Sequence, residues 1–196
     1  MNARIIANEQ RLMTNSRVSP LSLEQLDATE QQLMAQGTDI MGFLANDGLT
    51  FARVPGLLGG ISGLVAAAYR PGQVDMETKR LVALMSSSAA GCVYCQHHNR
   101  FGGLKSGISL QQLDSVWEYE TAAGFSAAQR AALRVAHHAA LQPNQVSDED
   151  FASLRQHYSE DQCAEIVAVI ALFGFLNRWN DTIKTEPEDL PELNNS

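Results

Sequence analysis

Residues 86–100, SSSAAGCVYCQHHNR, place two of the chain's three cysteines, Cys92 and Cys95, three positions apart with a histidine pair directly behind them. Two thiols at this spacing can close a reversible disulfide, supply half of a metal site, or pack as small inert hydrophobes. In the middle of a regular helix their Cβ atoms would lie about 5–6 Å apart, whereas a disulfide needs roughly 3.5–4.5 Å. Gly91 lifts that restriction, because it ends the preceding helix and leaves Cys92 at the cap or first position of the next one. A frayed first turn then allows closure. The unpaired amides and the positive end of the helix dipole at the same place stabilise a thiolate, the form that attacks a peroxide or a disulfide.

Side chains three or four apart share a helix face, so His98 and Asn99 flank Cys95 while His97 points away. His98 is the expected proton shuttle or thiolate partner, since imidazole titrates near neutral pH; Asn99 can hydrogen-bond but not titrate. A carboxylate would orient the imidazole, and Glu77 on the preceding helix is the nearest acidic candidate upstream, its alternative being a solvated first-turn acid. Tyr94, between the thiols, can donate a hydrogen bond to a peroxide or sulfenate, or simply pack. A zinc site would need a second ligand pair, and His137 with His138 is the available one. His137 shares a face with Leu133 and Leu141 in ALRVAHHAAL, which favours a core or interface histidine. Cys163, at the start of an apolar helix, is expected to be a buried hydrophobe. The polar NRWND at 177–181 is expected to finish a helix, with pocket lining as its alternative.

The elements that must hold these residues are marked by a recurring device. Ser22 with Gln25, Ser109 with Gln112, Ser126 with Gln129, Ser147 with Asp150 and Ser159 with Gln162 each match a capping box at a helix start. Asp75 is a sixth N-cap, and Pro55 suits a first turn. Between them apolar residues recur at three and four, while alternating runs are scarce. The pattern predicts an all-α, single-domain bundle of seven to nine helices, at about 22–36, 39–52, 55–69, 76–90, 92–104, 110–122, 127–141, 148–157 and 160–183. The expected organisation is an N-terminal extension over 1–19, a helical domain over 20–184 and a polar, proline-broken tail over 185–196, both ends peripheral or in subunit contacts.

At 196 residues, 45% of them hydrophobic, the chain can bury one substantial core. A net charge of −8 without a basic stripe excludes nucleic acid as an expected partner. The N-terminus has no secretory apolar stretch, and the longest apolar run, IVAVIALFGFL at 166–176, falls short of a membrane span. The expected location is the cytoplasm, with no membrane contact. There C-x-x-C means catalysis or metal binding rather than a disulfide scaffold.

These residues resemble a known family. The acidic helix start, the apolar helix and SSSAAGCVYCQHH, together with MGFLANDGLTFARVPGLL at 41–58 and VSDEDFASLRQHYSEDQCAEIVAVIALFGFLNRWNDTI at 146–183, are similar to the alkylhydroperoxidase D-like, or carboxymuconolactone decarboxylase-like, proteins. The likeness covers about residues 38–183 and is nearest to the uncharacterized peroxidase-related branch. It implies a helical fold, a homo-oligomer (trimer or hexamer), and a redox pair in which Cys95 is peroxidatic and Cys92 resolving. It further implies a small hydroperoxide substrate, a lipoyl or thioredoxin-like dithiol donor, and no cofactor or metal. Two positions depart from the better-understood relatives: Arg80 stands where they carry glutamate and Asn99 where they carry histidine. Glu77 and His98, each about one helical step away, are the expected replacements, and Arg80 is expected to stabilise a thiolate. The family's other activity, a lactone decarboxylase or isomerase, and a zinc-binding or redox-sensing role are the alternatives.

Overall fold

The computed structural model describes residues 16–190 and residue 193. Nine α-helices and two short 3₁₀ turns follow one another, with no strand among the described residues. The helices are α1 (Ala28–Met41), α2 (Asn46–Phe51), α3 (Leu57–Tyr69), α4 (Met76–Ala89), α5 (Val93–Lys105), α6 (Leu110–Asp114), α7 (Ala127–Ala140), α8 (Asp148–Arg155) and α9 (Glu160–Ile183). The protein is all-α, as its periodicity predicts.

Side-chain caps start six of these helices, five of them at the positions the sequence marks. Asp75, Ser109, Ser126, Ser147 and Ser159 accept the third-residue amides of α4, α6, α7, α8 and α9. Gln129, Asp150 and Gln162 return the bond to the cap amide, whereas Gln112 turns its amide to the Gly124 carbonyl and to Glu77. The N-terminal third differs from expectation. The box at Ser22 closes only the 3₁₀ turn Leu23–Gln25, because a second box, Asp27 with Glu30, starts α1 a few residues later. The two are tied by Gln31, whose Nε2 donates to the Leu23 and Leu26 carbonyls at 3.0 Å each. With α1 extended to Met41, the helix expected over 39–52 shrinks to α2. The helix expected over 110–122 breaks at Ser115, whose hydroxyl donates to the Gln111 carbonyl at 2.8 Å, and continues as the 3₁₀ turn Val116–Glu118.

The core is centred on α4, which packs against α5, α7 and α9. Residues 81–87 of α4 are buried on every side, so burial all round the helix marks a central element. Ser86 and Ser87 survive there because their hydroxyls donate to the Val82 and Ala83 carbonyls at 2.9 and 2.8 Å. Helix α9 is long and apolar enough to cross a bilayer by length and composition, and 44% of its most apolar stretch is buried against the other helices.

Residues 185–190, expected to be peripheral, lie on the bundle instead. Leu190 is buried with Phe43, Ala45 and Phe101. Residues 1–15 of the expected N-terminal extension, and residues 191, 192 and 194–196 of the tail, fall outside the described residues.

A buried cation fixes α3 against α4 and α9. Lys79, 2% exposed, donates from Nζ to the Ala68 and Arg70 carbonyls at the end of α3, both at 3.1 Å, and pairs with Glu165 of α9 at 3.0 Å. Glu165 also accepts the Gln73 and Val74 amides. Lys79→Met takes this donor from the two carbonyls and leaves the Glu165 carboxylate without its cation. It is expected to lower unfolding stability by about 2–4 kcal/mol in urea denaturation.

Candidate functional site

The cysteines are placed by the way the chain leaves α4. Gly91 takes φ 74, its amide bonds to the Ser88 carbonyl and the Cys92 amide to the Ser87 carbonyl, each at 3.1 Å. These two bonds form a Schellman turn, which needs a left-handed residue where Gly91 stands. The residue that completes the turn, Cys92, is at the same time the N-cap of α5, with extended backbone. Cys95 follows in the first helical turn, and both sulfurs are free thiols.

The thiols are hydrogen-bonded to each other and split in acidity. Interaction with the neighbouring Cys95 thiol holds the Cys92 pKa below the usual thiol range; burial opposes this and the Cys95 amide adds to it. The same interaction, joined by burial, pushes Cys95 well above that range. One proton leaves the pair readily and the second is retained. Asn180 of α9 donates from Nδ2 to the Cys95 sulfur at 3.5 Å and to Asp47 Oδ2 at 3.2 Å. NRWND is therefore more than a helix end, since it delivers a donor to a thiol. Its Asn177 is structural, donating to the Ser86 carbonyl.

A cavity of 530 Å³ opens beside Cys95. Its wall is mostly apolar, from α1, α3 and α9, with one polar end formed by Asp47, Arg80, Tyr94, Cys95 and His98. Cys92 and Cys95 are 1% and 3% exposed, so Cys95 is reached through this chamber rather than from the outer surface. Cys92 lies behind it. Asp47 has its pKa raised by desolvation.

His98 lines the chamber one turn after Cys95, and its carboxylate partner comes from the far end of the sequence. Nε2 of His98 pairs with Glu188 Oε2. Glu188, 4% exposed, is clamped at its other oxygen by the Asn46 amide at 2.6 Å and the Tyr94 hydroxyl at 3.0 Å, and its carbonyl meets His97 Nε2 at 3.0 Å. Tyr94 Oη in turn accepts the Asp47 amide at 3.1 Å. Burial disfavours the His98 cation, but the Glu188 charge and hydrogen bond outweigh it and the His98 pKa is raised. Burial likewise works against the Glu188 anion, yet His98 and the Asn46 amide leave its pKa lowered.

The expected relay therefore forms only in part. His98 is in place, while Glu77 is not. The Glu77 carboxylate accepts from Gln129 at 3.1 Å and Gln112 at 3.5 Å, joining α4 to α6 and α7. It stands ten residues before Ser87, about 15 Å along α4 from the turn that holds Cys92. Proximity in sequence misled here because a helix start and the residue after its end are a helix length apart. Asn99 is fixed by bonds to the Cys95 carbonyl (2.9 Å) and to Ser87 (3.3 Å). His138 pairs with Asp150 at 2.7 Å and His137 packs on Trp117, far from a shared ligand sphere with the cysteines. Among the described residues no group of three or more His, Cys, Asp and Glu is arranged to hold a metal ion. Cys163 is buried near the start of α9.

Known proteins share this fold. The pattern of the carboxymuconolactone decarboxylase family matches residues 55–138. The debrominase Bmp8, in a variant solved in complex with 2,3,4-tribromopyrrole, is 30% identical, with a TM-score of 0.84 over 92% of this chain and 96% of that one. An uncharacterized peroxidase-related protein from Ralstonia eutropha JMP134 with an alkylhydroperoxidase AhpD core is 26% identical, with a TM-score of 0.80 over 89% and 93%. The uncharacterized protein YdfG of Bacillus subtilis (strain 168) is 27% identical over 108 residues, which are 55% of this chain and 71% of YdfG. The chain belongs to the carboxymuconolactone decarboxylase family, in its alkylhydroperoxidase D-like, peroxidase-related branch.

The pair His98–Glu188 stabilises the fold only while both are charged. Glu188, with a lowered pKa, contributes above the ordinary carboxyl value of 4.5 and loses its contribution as pH falls through its folded pKa. His98, with a raised pKa, contributes fully below 6.5 and loses it as pH rises through its own. The stability difference between wild type and Glu188→Gln is expected to be largest between these two folded pKa values and to shrink on either side. NMR titration should show the His98 pKa falling in the variant.

Proposed function

We propose that the protein is a thiol-dependent hydroperoxidase in which Cys95 attacks the peroxide and Cys92 resolves. The observation that carries this reading is the placement of the pair: Cys95 lines the chamber, while the adjacent Cys92, the more acidic thiol, does not line it. Proton transfer from Cys95 to Cys92 produces the attacking thiolate where substrate can reach it. The Cys95 sulfur then takes the terminal peroxide oxygen, the O–O bond breaks, and the leaving alkoxide takes the His98 proton to depart as an alcohol. Cys92 attacks the Cys95 sulfenic acid, a disulfide forms and water leaves. Two thiols and one hydroperoxide thus give one disulfide, one alcohol and one water. A dithiol donor of lipoyl or thioredoxin-like type restores the thiols, in a reducing compartment such as the cytoplasm.

Glu188 serves this scheme as a positioning residue, keeping His98 charged and aimed into the chamber, the role that the sequence suggests for Glu77. Asn180 donates to the Cys95 sulfur as it ionises. A homo-oligomer of trimeric or hexameric type accords with the exposed apolar residues Ile40, Leu64 and Val167.

A second reading draws on the size and apolarity of the chamber, which exceeds the needs of hydrogen peroxide, and on the similarity to a debrominase. The same two thiols could supply the two electrons that turn a carbon–bromine bond into carbon–hydrogen plus bromide, again leaving a disulfide. Bromide release from a bromopyrrole, measured beside hydroperoxide consumption, separates the two. A decarboxylase would retain turnover in Cys95→Ser.

One equivalent of cumene hydroperoxide is expected to consume two thiols in wild type and to form an intramolecular disulfide, seen by intact mass. Cys92→Ser should stop at a dimedone-trappable sulfenic acid on Cys95, and Cys95→Ser should lower the rate by at least about a hundredfold. Equal oxidation of wild type and Cys95→Ser would remove the proposal.

A further inference from the structure

One cation in the chamber has no place in the scheme above. Arg80, which projects from α4 into the wall, takes part in none of the ion pairs among the described residues. Its Nε is shielded from solvent and makes no hydrogen bond. Its guanidinium lies 4.4 Å above the ring of Tyr69, a second chamber residue whose hydroxyl is also buried without a hydrogen-bond partner. Burial, against the pull of the nearby Arg80 charge, pushes the Tyr69 pKa up to about 12, which keeps that hydroxyl a neutral donor.

The fold makes room for this arrangement. A Cβ at position 102 would come within 2.8 Å of Arg80 Nη1 and 2.9 Å of its Cζ, so α5 carries Gly102 where the guanidinium crosses it. A glycine inside a helix costs about 1 kcal/mol relative to alanine. The groups that most shift the two thiols are each other, burial, nearby carboxylates and Asn180. A half-buried charge and two buried polar atoms without hydrogen-bond partners, beside a mostly apolar wall, are unfavourable unless a ligand satisfies them.

We infer that Arg80 and Tyr69 anchor the carboxylate of an otherwise apolar substrate. Both groups are donors, so the ligand must bring acceptors, and the fixed positive charge selects an anion over a neutral oxygen. A carboxylate offers two oxygens to the two donors. The remaining wall, with Leu33, Ile61, Val65 and Phe173, takes a hydrocarbon body, and 530 Å³ lies within the roughly 300–1,000 Å³ typical of small-molecule pockets. The substrate class is then an apolar organic acid carrying the reducible group. This deepens the redox reading above and rests on it only for the reduction that the bound acid undergoes.

Calorimetric titration with decanoate and with decan-1-ol, neither of which can be reduced by a thiol, tests the anchor without turnover. Wild type is expected to bind decanoate about tenfold or more tightly than decan-1-ol. Arg80→Gln should erase that preference while leaving decan-1-ol affinity unchanged, and Arg80→Lys should keep part of it. Should Arg80→Gln fail to fold, Tyr69→Phe carries the test, with a severalfold smaller preference expected. Equal affinities in wild type, or a preference untouched by these variants, would overturn the inference. A decanoate preference in a protein whose thiols ignore peroxide would leave the anchor standing and remove only the redox reading.

Discussion

The chemistry available to this chain depends on how it passes from α4 to α5. A Schellman turn at Gly91 closes the first helix with the same residue that caps the second, so no spacer separates Cys92 from the helix that carries Cys95. That economy puts one sulfur at the cap and the other in the first turn, where amide hydrogens and the helix dipole favour negative charge. A side chain at position 91 would strain the left-handed backbone and loosen both helices at once. The deeply buried α4 supplies the rigidity against which the turn is set, and Ser86 and Ser87 show that even its polar residues are satisfied within the helix.

Around that turn the site is assembled from segments far apart in sequence. The start of α2 offers the Asn46 and Asp47 amides, α9 offers Asn180, and the chain after α9 returns to lay Glu188 against His98. The returning segment is held by an apolar anchor, Leu190 among Phe43, Ala45 and Phe101, as well as by charge. Glu188 thereby does two things: it closes the fold at its C-terminal end and fixes the protonation state of the one imidazole that faces the chamber.

How much of this was legible depends on the range of the interaction. Local signals were readable: serine and aspartate caps gave the starts of α4 and α6–α9, Gly91 gave the break between α4 and α5, and helical angle separated His98 from His97. The capping box at Asp27 was equally local and was hidden by the stronger-looking box at Ser22. Glu188 was beyond reach, because its segment, KTEPEDLPELNNS, has the polarity and prolines of a peripheral tail, and only Leu190 and Leu193 mark places where it could dock. Glu77 was the corresponding error, a choice by sequence distance where a helix imposes separation. Arg80 stood out as a departure from the relatives, but its neighbours, Tyr69 on α3 and Gly102 on α5, are brought to it by packing alone.

The central claim is the unequal sharing of one proton between two sulfurs: Cys92 is the readier thiolate at rest, and Cys95 becomes one by passing its proton to Cys92. Titration of the cysteine ¹³Cβ resonances in wild type and in Cys95→Ala tests it most directly. The account predicts that Cys92 ionises below the ordinary thiol range in wild type, that Cys95 ionises only far above it, and that Cys92 moves upward once the Cys95 thiol is gone. Ionisation of Cys95 before Cys92, or a Cys92 titration indifferent to the loss of Cys95, would contradict it.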